Sequence, residues 1–321
     1  MKRNNGLWAA LLVLAGASSY GVGASVYKLA IEHGWGAGPL TFQQVLSGAA
    51  LLWLAMGLRA IRTALRKGRQ GKAEGAGGAA SIRRHWLKLT AIGIVGLALT
   101  TVFYNEALAR IDASLAIVLL FQFTWITILL ESIRKRAWPS RAEGLAMGCI
   151  AAGTVLAVGL LEHDLSAIDG IGALYGLLSA VTYSLFFFLT DFLPPSMDAI
   201  GKSTVMSTAS FAFVVLLQWP TALDWSGGWP RLGWGMLLGL LNTALPFFCF
   251  NAGIPRLGGG LAALLGSMEL PAAVVAAFLL LGEPLSGWQG AGIALILAGI
   301  GAAQRRSNDK VAVVIEGEER L

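Results

Sequence analysis

The chain has 321 residues, 56% of them hydrophobic and 13% charged, with a mean hydropathy of +0.68. That is far too apolar for a soluble domain of this size, which excludes a cytosolic enzyme or a free binding module. The net charge of +6 does not argue for nucleic acid, because the cations fall between long apolar runs, where they orient a membrane protein.

In chain order the apolar runs cover 7–30, 38–58, 87–109, 112–130, 141–161, 170–190, 200–219, 232–254, 259–281 and 285–304. About 20 apolar residues span the hydrocarbon core, and backbone in lipid must satisfy its hydrogen bonds internally, which predicts helices. The expected fold class is an all-α integral membrane protein with ten transmembrane helices. The first run follows Lys2-Arg3 as a signal peptide would, but it continues well past a short apolar core, so an uncleaved span is expected. The seventh is the weakest, opening with Lys202 and rich in Ser and Thr. Between the second and third lies a cytoplasmic linker, 59–86, whose Gly/Ala/charge-rich part from Arg66 cannot bury a core and is expected to be mobile. A tail, 305–321, ends acidic.

Lys and Arg placement sets the orientation. With the N-terminus inside, 21 of the 24 fall in cytoplasmic segments, Lys202 and Arg256 among them; Arg110 and Arg231 fall outside and Lys28 within a span. Both termini are therefore expected in the cytoplasm, with Glu162-His163-Asp164 outside.

Residues 105–153 and 251–299 align without a gap at an offset of 146, with ten identities. These include Asn105/Asn251, Arg110/Arg256, Ser140/Ser286, Gly144/Gly290 and Gly153/Gly299. A looser match at offset 163 pairs Tyr20 with Tyr183 and Thr41 with Thr204. The chain thus divides into a first five-helix repeat, 1–161, and a second, 170–304. Five is odd, so the second repeat enters the membrane from the opposite side. Inverted repeats of this kind build many secondary transporters, with the solute site between the halves.

Glu269 lies about ten residues into its span, followed by Pro271. An ionisable side chain at that depth is costly unless it is paired, protonated or hydrated, and Pro271 removes a backbone donor beside it. Asn242, near Pro246, is a second polar residue next to a proline, and Gln122 and Tyr20 lie at similar depth. Tyr183 and Trp125 add aromatic walls. Glu106 and Lys28 stand nearer the outer ends of their spans. These eight are the candidate solute-binding residues. Cys149 and Cys249 lie singly in apolar spans, and the three histidines fall in loops, so neither a metal site nor a cofactor is expected. No phosphate-binding Gly-rich Lys-Ser/Thr loop occurs, which excludes ATP-driven pumping by that motif. Gly144/Gly148, Gly172/Gly176 and Gly235/Gly239 are spaced for close helix contact.

The run Ser267-Met268-Glu269-Leu270-Pro271, continued through Leu281-Gly282-Glu283-Pro284-Leu285-Ser286 to Gly299, resembles the EamA-type members of the drug/metabolite transporter superfamily. Phe103-Tyr104-Asn105-Glu106-Ala107-Leu108 with Ala113-Ser114-Leu115-Ala116 resembles the first-half version. The resemblance implies a ten-helix bundle of inverted halves that moves small metabolites, often exporting amino acids or related solutes. Two departures stand out: Leu270 separates the midplane Glu from its Pro, and Gln43 and Gln44 stand where the family often has an Arg.

The function expected is a plasma-membrane secondary carrier, not an enzyme, exporting a small amphipathic solute such as an amino acid or derivative. Its partners would be that solute, the bilayer and, as candidate coupling ion, protons, with no nucleic acid; the protein would act as a monomer or dimer. A carrier of lipid- or nucleotide-linked sugars is the alternative within transport. An integral membrane enzyme using Glu269 and Glu106, or a scaffold, is the alternative outside it.

Overall fold

The computed structural model describes residues 2–70, 76–108, 110–111, 113–157, 169–217, 228–282 and 286–318, and these form helices and turns with no strand among them. The first repeat comprises α1 (Lys2–Glu32), α2 (Ala37–Gln70), α3 (Ala76–Ile92), α4 (Leu99–Leu108), α5 (Ala113–Leu120), α6 (Phe123–Lys135) and α7 (Arg141–Ala157). The second comprises α8 (Gly170–Asp191), α9 (Ala199–Leu217), α10 (Gly228–Gly239), α11 (Leu245–Leu257), α12 (Gly259–Gly266), α13 (Glu269–Leu281) and α14 (Gly287–Glu318). A π-turn, Gly93–Ala98, joins α3 to α4, and another, Leu240–Ala244, joins α10 to α11.

Over their described residues the expected segments are helical, the fourth with a turn at 121–122 and the ninth with one at 267–268. Among the described residues, eight stretches are long and apolar enough to cross a membrane, from Gly6–Glu32 to Gly259–Leu281. Helix α7, at 17 residues, and the apolar part of α14, Gly287–Ala303, are shorter. The stretch expected as a linker is helical over much of its length, because α2 continues to Gln70 and α3 starts at Ala76. Its Ala, Arg, Lys and Gln are good helix formers, and they extend helices already nucleated in the spans. Residues 162–164, expected outside, and Glu283-Pro284-Leu285 lie outside the described residues.

The 146-residue offset registers the backbone irregularities to the residue. The π-turns both end on equivalent alanines, Ala98 and Ala244. The α5/α6 break at Phe121–Gln122 matches the α12/α13 break at Ser267–Met268. Left-handed C-caps fall at Arg136 (φ 50°) and Gly282 (φ 67°). Reciprocal capping boxes open the next helices: Ser140 Oγ accepts from Glu143 N–H at 3.3 Å while Glu143 accepts from Ser140 N–H at 2.7 Å. Ser286 and Gln289 repeat this at 3.2 and 3.0 Å.

The same kinks have different chemical causes in the two halves. In the second repeat, Pro246 and Pro271 lack the N–H that would bond the carbonyls of Asn242 and Ser267. In the first, the equivalent carbonyls belong to Gly96 and Phe121. Thr100 Oγ1 donates to Gly96 O at 2.8 Å and Thr124 Oγ1 to Phe121 O at 3.0 Å. A threonine hydroxyl bonding back along its helix bends it, so two sequences with no proline in common reach one backbone shape.

Packing obeys the same exchange of halves. Helix α1 lies against α11 and α13, as α8 lies against α4 and the α5–α6 segment. Helices α7 and α14 pair with each other: a Cβ on Gly153 would stand 2.7 Å from Gly292 O, and one on Gly299 would stand 3.0 Å from Ala146 O. Gly172/Gly176 and Gly235/Gly239 also mark close approaches, to Ile111, Arg110 and Leu119 and to Gln43, Ser47 and Gly48, whereas Gly144 and Gly148 face open space. Core packing concentrates where α6, α8 and α11 meet, around Phe123, Phe186, Phe187 and Phe250, all at or below 1% exposure.

Candidate functional site

Glu269 is the first residue of α13, at the break in the ninth segment. The turn before it is tightened, with Ser267 N–H donating to Leu264 O at 3.3 Å and Met268 N–H to Leu265 O at 3.1 Å. Leu270 N–H takes Ser267 O at 3.3 Å in place of the donor Pro271 lacks. The carboxyl therefore sits at the positive end of a half-helix within the span, where a negative charge is stabilised by about 0.3–1 kcal/mol.

Three tyrosines from three other segments interact electrostatically with this carboxyl: Tyr20 on α1, Tyr104 on α4 and Tyr183 on α8. The backbone brings them there. Gly21 lets α1 run directly against the first turn of α13, where a Cβ would clash with Glu269 O and stand 2.7 Å from Ala273 N. Ser25 Oγ then bonds Ala273 O at 3.2 Å one turn further along. Tyr20 stacks on Phe250 of α11, with ring centroids 6.0 Å apart. Glu269, Tyr20 and Tyr104 keep part of their surface accessible, while Tyr183 is buried at 6%.

Tyr20 and Tyr183 of this group join a cluster of aromatic rings. Phe123 lies 4.6 Å from Tyr183 and 5.3 Å from Phe187, ring centre to ring centre, and Phe187 lies 5.4 Å from Phe250. The arrangement is a carboxyl within electrostatic reach of three phenols, two of which join a cluster of rings. It can hold a solute that has an ammonium or hydroxyl end and an apolar body, since ring faces attract cations as well as covering apolar groups.

The other expected site residues are placed differently. Gln122 and Trp125 satisfy each other at the α5/α6 break: Trp125 Nε1 donates to Gln122 Oε1 at 2.7 Å, and Gln122 Nε2 donates to Val118 O at 2.8 Å. Asn242 sits in the second π-turn against Gly23, at the site where Phe186 meets Gly96 in the other half. Its Oδ1 is buried with no hydrogen-bond partner. Ser19 Oγ bonds the neighbouring Leu241 O at 2.7 Å, tying α1 to that turn. Glu106 is half exposed and 3.8 Å from Arg110, whose guanidinium is 3.9 Å from Asp169. Lys28 is exposed on α1.

Lys202 is not an interfacial cation as its sequence position implied. It is fully buried, and its Nζ donates to Asn251 O at 2.7 Å. Hydropathy could not show this, because burial here comes from α9 lying between α2, α3 and α11. The sequence places Tyr104 and Phe123 among the aromatics of the spans expected to wall the cavity, and the 146-residue offset sets Phe123 opposite Glu269. Sequence reasoning passed over Phe250 and Gly21 as site residues, and nothing local singled out Gly21.

At the same end of the bundle as Lys202, Glu131 accepts from Gly260 N–H at 2.8 Å, so α6 caps the start of α12. Arg134 bonds Asp191 at 2.7 Å, and Lys135 bonds Glu131. These charges link the ends of the fourth, sixth and ninth segments. Among the described residues no group of three or more His, Cys, Asp and Glu gathers that could hold a metal ion.

The EamA-like transporter family model matches twice, over residues 7–159 and 170–303, one match for each repeat. No curated protein matches the chain. A solved structure, described only as the crystal structure of a protein, superposes with a TM-score of 0.67 at 19% sequence identity, covering 95% of this chain and 98% of its own. At that identity it shares the fold. The two matches leave only the ends and the segment between the repeats uncovered, and the chain belongs to the EamA-like transporter family.

Proposed function

We propose that the protein is a plasma-membrane secondary carrier that exports a small amphipathic solute, an amino acid or derivative, by alternating access. Ten crossings in two inverted five-helix halves, with both termini in the cytoplasm, would place the solute between the halves. The observation that carries this reading is the placement of Glu269 at the head of a half-helix, coupled to tyrosines from the first, third and sixth segments. The carboxylate takes the ammonium or hydroxyl end of the solute, and the rings of Tyr20, Tyr183 and Phe123 cover its body. Asn242 supplies a further acceptor at similar depth, while Glu106 and Lys28 guard the outer mouth. Gln122 and Trp125 hold the break in the fourth segment, opposite the break that carries Glu269. Proton exchange at Glu269 would couple transport to the proton gradient.

Exchange of a labelled solute panel across liposomes containing the purified protein tests this reading. Exchange of amino-acid-like solutes, lost in Glu269→Gln, is the expected result. No exchange across the panel, or exchange that ignores Glu269→Gln, would overturn it.

A further inference from the structure

Lys202 carries a charge that the solute site does not use. Its side chain is fully buried on α9, and an isolated ammonium in such surroundings is costly to desolvate. The bond that holds it has a specific cause. In a helix the carbonyl of Asn251 would accept from the N–H of residue 255, but residue 255 is proline and has none. Lys202 Nζ occupies that carbonyl at 2.7 Å. The rest of Asn251 is gripped by the same helix: its Nδ2 donates to Ser203 Oγ at 3.1 Å and lies 3.4 Å from Met206 Sδ. Asp198 and Arg256 are the charged groups that act on Lys202, and Asp198 is in turn bound by Arg59 of α2.

The other half lacks this device. Asn105, the counterpart of Asn251, is partly exposed, residue 109 is Ala with its N–H intact, and the offset of 163 sets Pro39 opposite Lys202. Among the described residues, one end of the bundle is therefore clasped through α9 and α11, and the equivalent end shows no such clasp. By the orientation argued above, the clasped end is cytoplasmic.

We propose that Lys202 is a positioning residue of the transport cycle, closing the cytoplasmic end by standing in for the backbone donor that Pro255 lacks. This rests on the carrier reading. The buried cation loses its hydration when the end closes and regains it when the end opens, and the orphan carbonyl passes from ammonium to water. The two states are thereby brought close in free energy, which a carrier that visits both requires.

Cys249 reports the clasp without any solute. It lies on α11, two residues before Asn251, is 2% exposed and packs on Gly16 of α1. With Cys149 replaced by Ser, its labelling by an impermeant maleimide is measured in inside-out membrane vesicles holding the full chain. Lys202→Met is expected to label about tenfold faster, the shift produced by losing one hydrogen bond to a charged group. Lys202→Arg, which keeps a donor, should label at the parent rate. Pro255→Ala restores the backbone N–H, so Lys202→Met/Pro255→Ala should return to the parent rate. Unchanged labelling in Lys202→Met, equal acceleration in Lys202→Arg, or no rescue by Pro255→Ala would overturn the proposal. If Lys202→Met alone does not fold, a folded double variant supports the proposal, and failure of both overturns it. Because no solute enters the measurement, its outcome is separable from the liposome exchange that tests the carrier reading.

Discussion

Glu269 and Phe123 stand 146 residues apart, each the first residue of the half-helix that follows the break in its span. Phe123 lies 4.6 Å from the ring of Tyr183, and Glu269 acts on Tyr20, the residue that the repeat pairs with Tyr183. One half thus fills the position with a ring and seals it, whereas the other fills it with a carboxyl and keeps it accessible. A site built on a twofold frame becomes chemically one-sided through this single difference.

Glu269→Gln keeps the shape and removes the charge. Losing a charge-assisted contact to the solute is worth about 1.5–3 kcal/mol, so solute exchange should fall at least tenfold while yield and Tm hold. Wild-type exchange at every pH would refute the role; loss of folded protein would make the carboxyl structural.

Gly21→Val should uncouple α1 from α13. Its Cβ would meet backbone atoms of Glu269 and Ala273 rather than the end of a flexible side chain, and overpacking of this kind costs about 1–3 kcal/mol. The expected result is a lower Tm and lost exchange. A variant with wild-type Tm and exchange would mean that the helices do not approach this closely.

Arg136 adopts the left-handed conformation that Gly282 adopts in the other half. A non-glycine residue there is strained by about 1 kcal/mol, so Arg136→Gly should raise stability by about that amount and Gly282→Ala should lower it. Thermal unfolding in detergent measures both, and no gain from Arg136→Gly would count against the left-handed cap.

Thr100 occupies the position of Pro246 in the repeat, just after a π-turn equivalent to the one that precedes that proline, so its backbone is already bent as the proline-bearing one is. Thr100→Pro should therefore cost well under the ~3 kcal/mol of an ordinary mid-helix proline. Proline at Val102, two residues along, should show the full cost. Equal destabilisation at both positions would remove the equivalence of the two π-turns.

The charge placement predicts that His33 lies outside and Arg62 in the cytoplasm. Single cysteines at Arg62 and His33, both exposed, in a background lacking Cys149 and Cys249, should react with an impermeant thiol reagent from opposite faces. Same-side reaction would overturn the crossing of α2 and the orientation of the first repeat.

The sequence alone determined the all-helical membrane class, the repeat and its register. Each depends on local signals that survive without a fold: apolar run length, loop charge, and the Ser and Gly marks at helix ends such as Ser140 and Ser286. The helix breaks were legible at Pro246 and Pro271 but not at Thr100 and Thr124, because threonine bends a helix only when its hydroxyl turns back to the chain. Only the tertiary structure decided which polar residues meet. Gln122, expected at a depth similar to that of Glu269, is instead satisfied by Trp125, since direction around a helix selects neighbours. Lys202 reads as a loop cation until α11 places an unpaired carbonyl within its reach, and Gly21 matters only because α13 runs across it. Contacts between residues roughly 50 to 250 positions apart depend on how the helices cross, and helix crossing is set by the whole bundle rather than by any one segment.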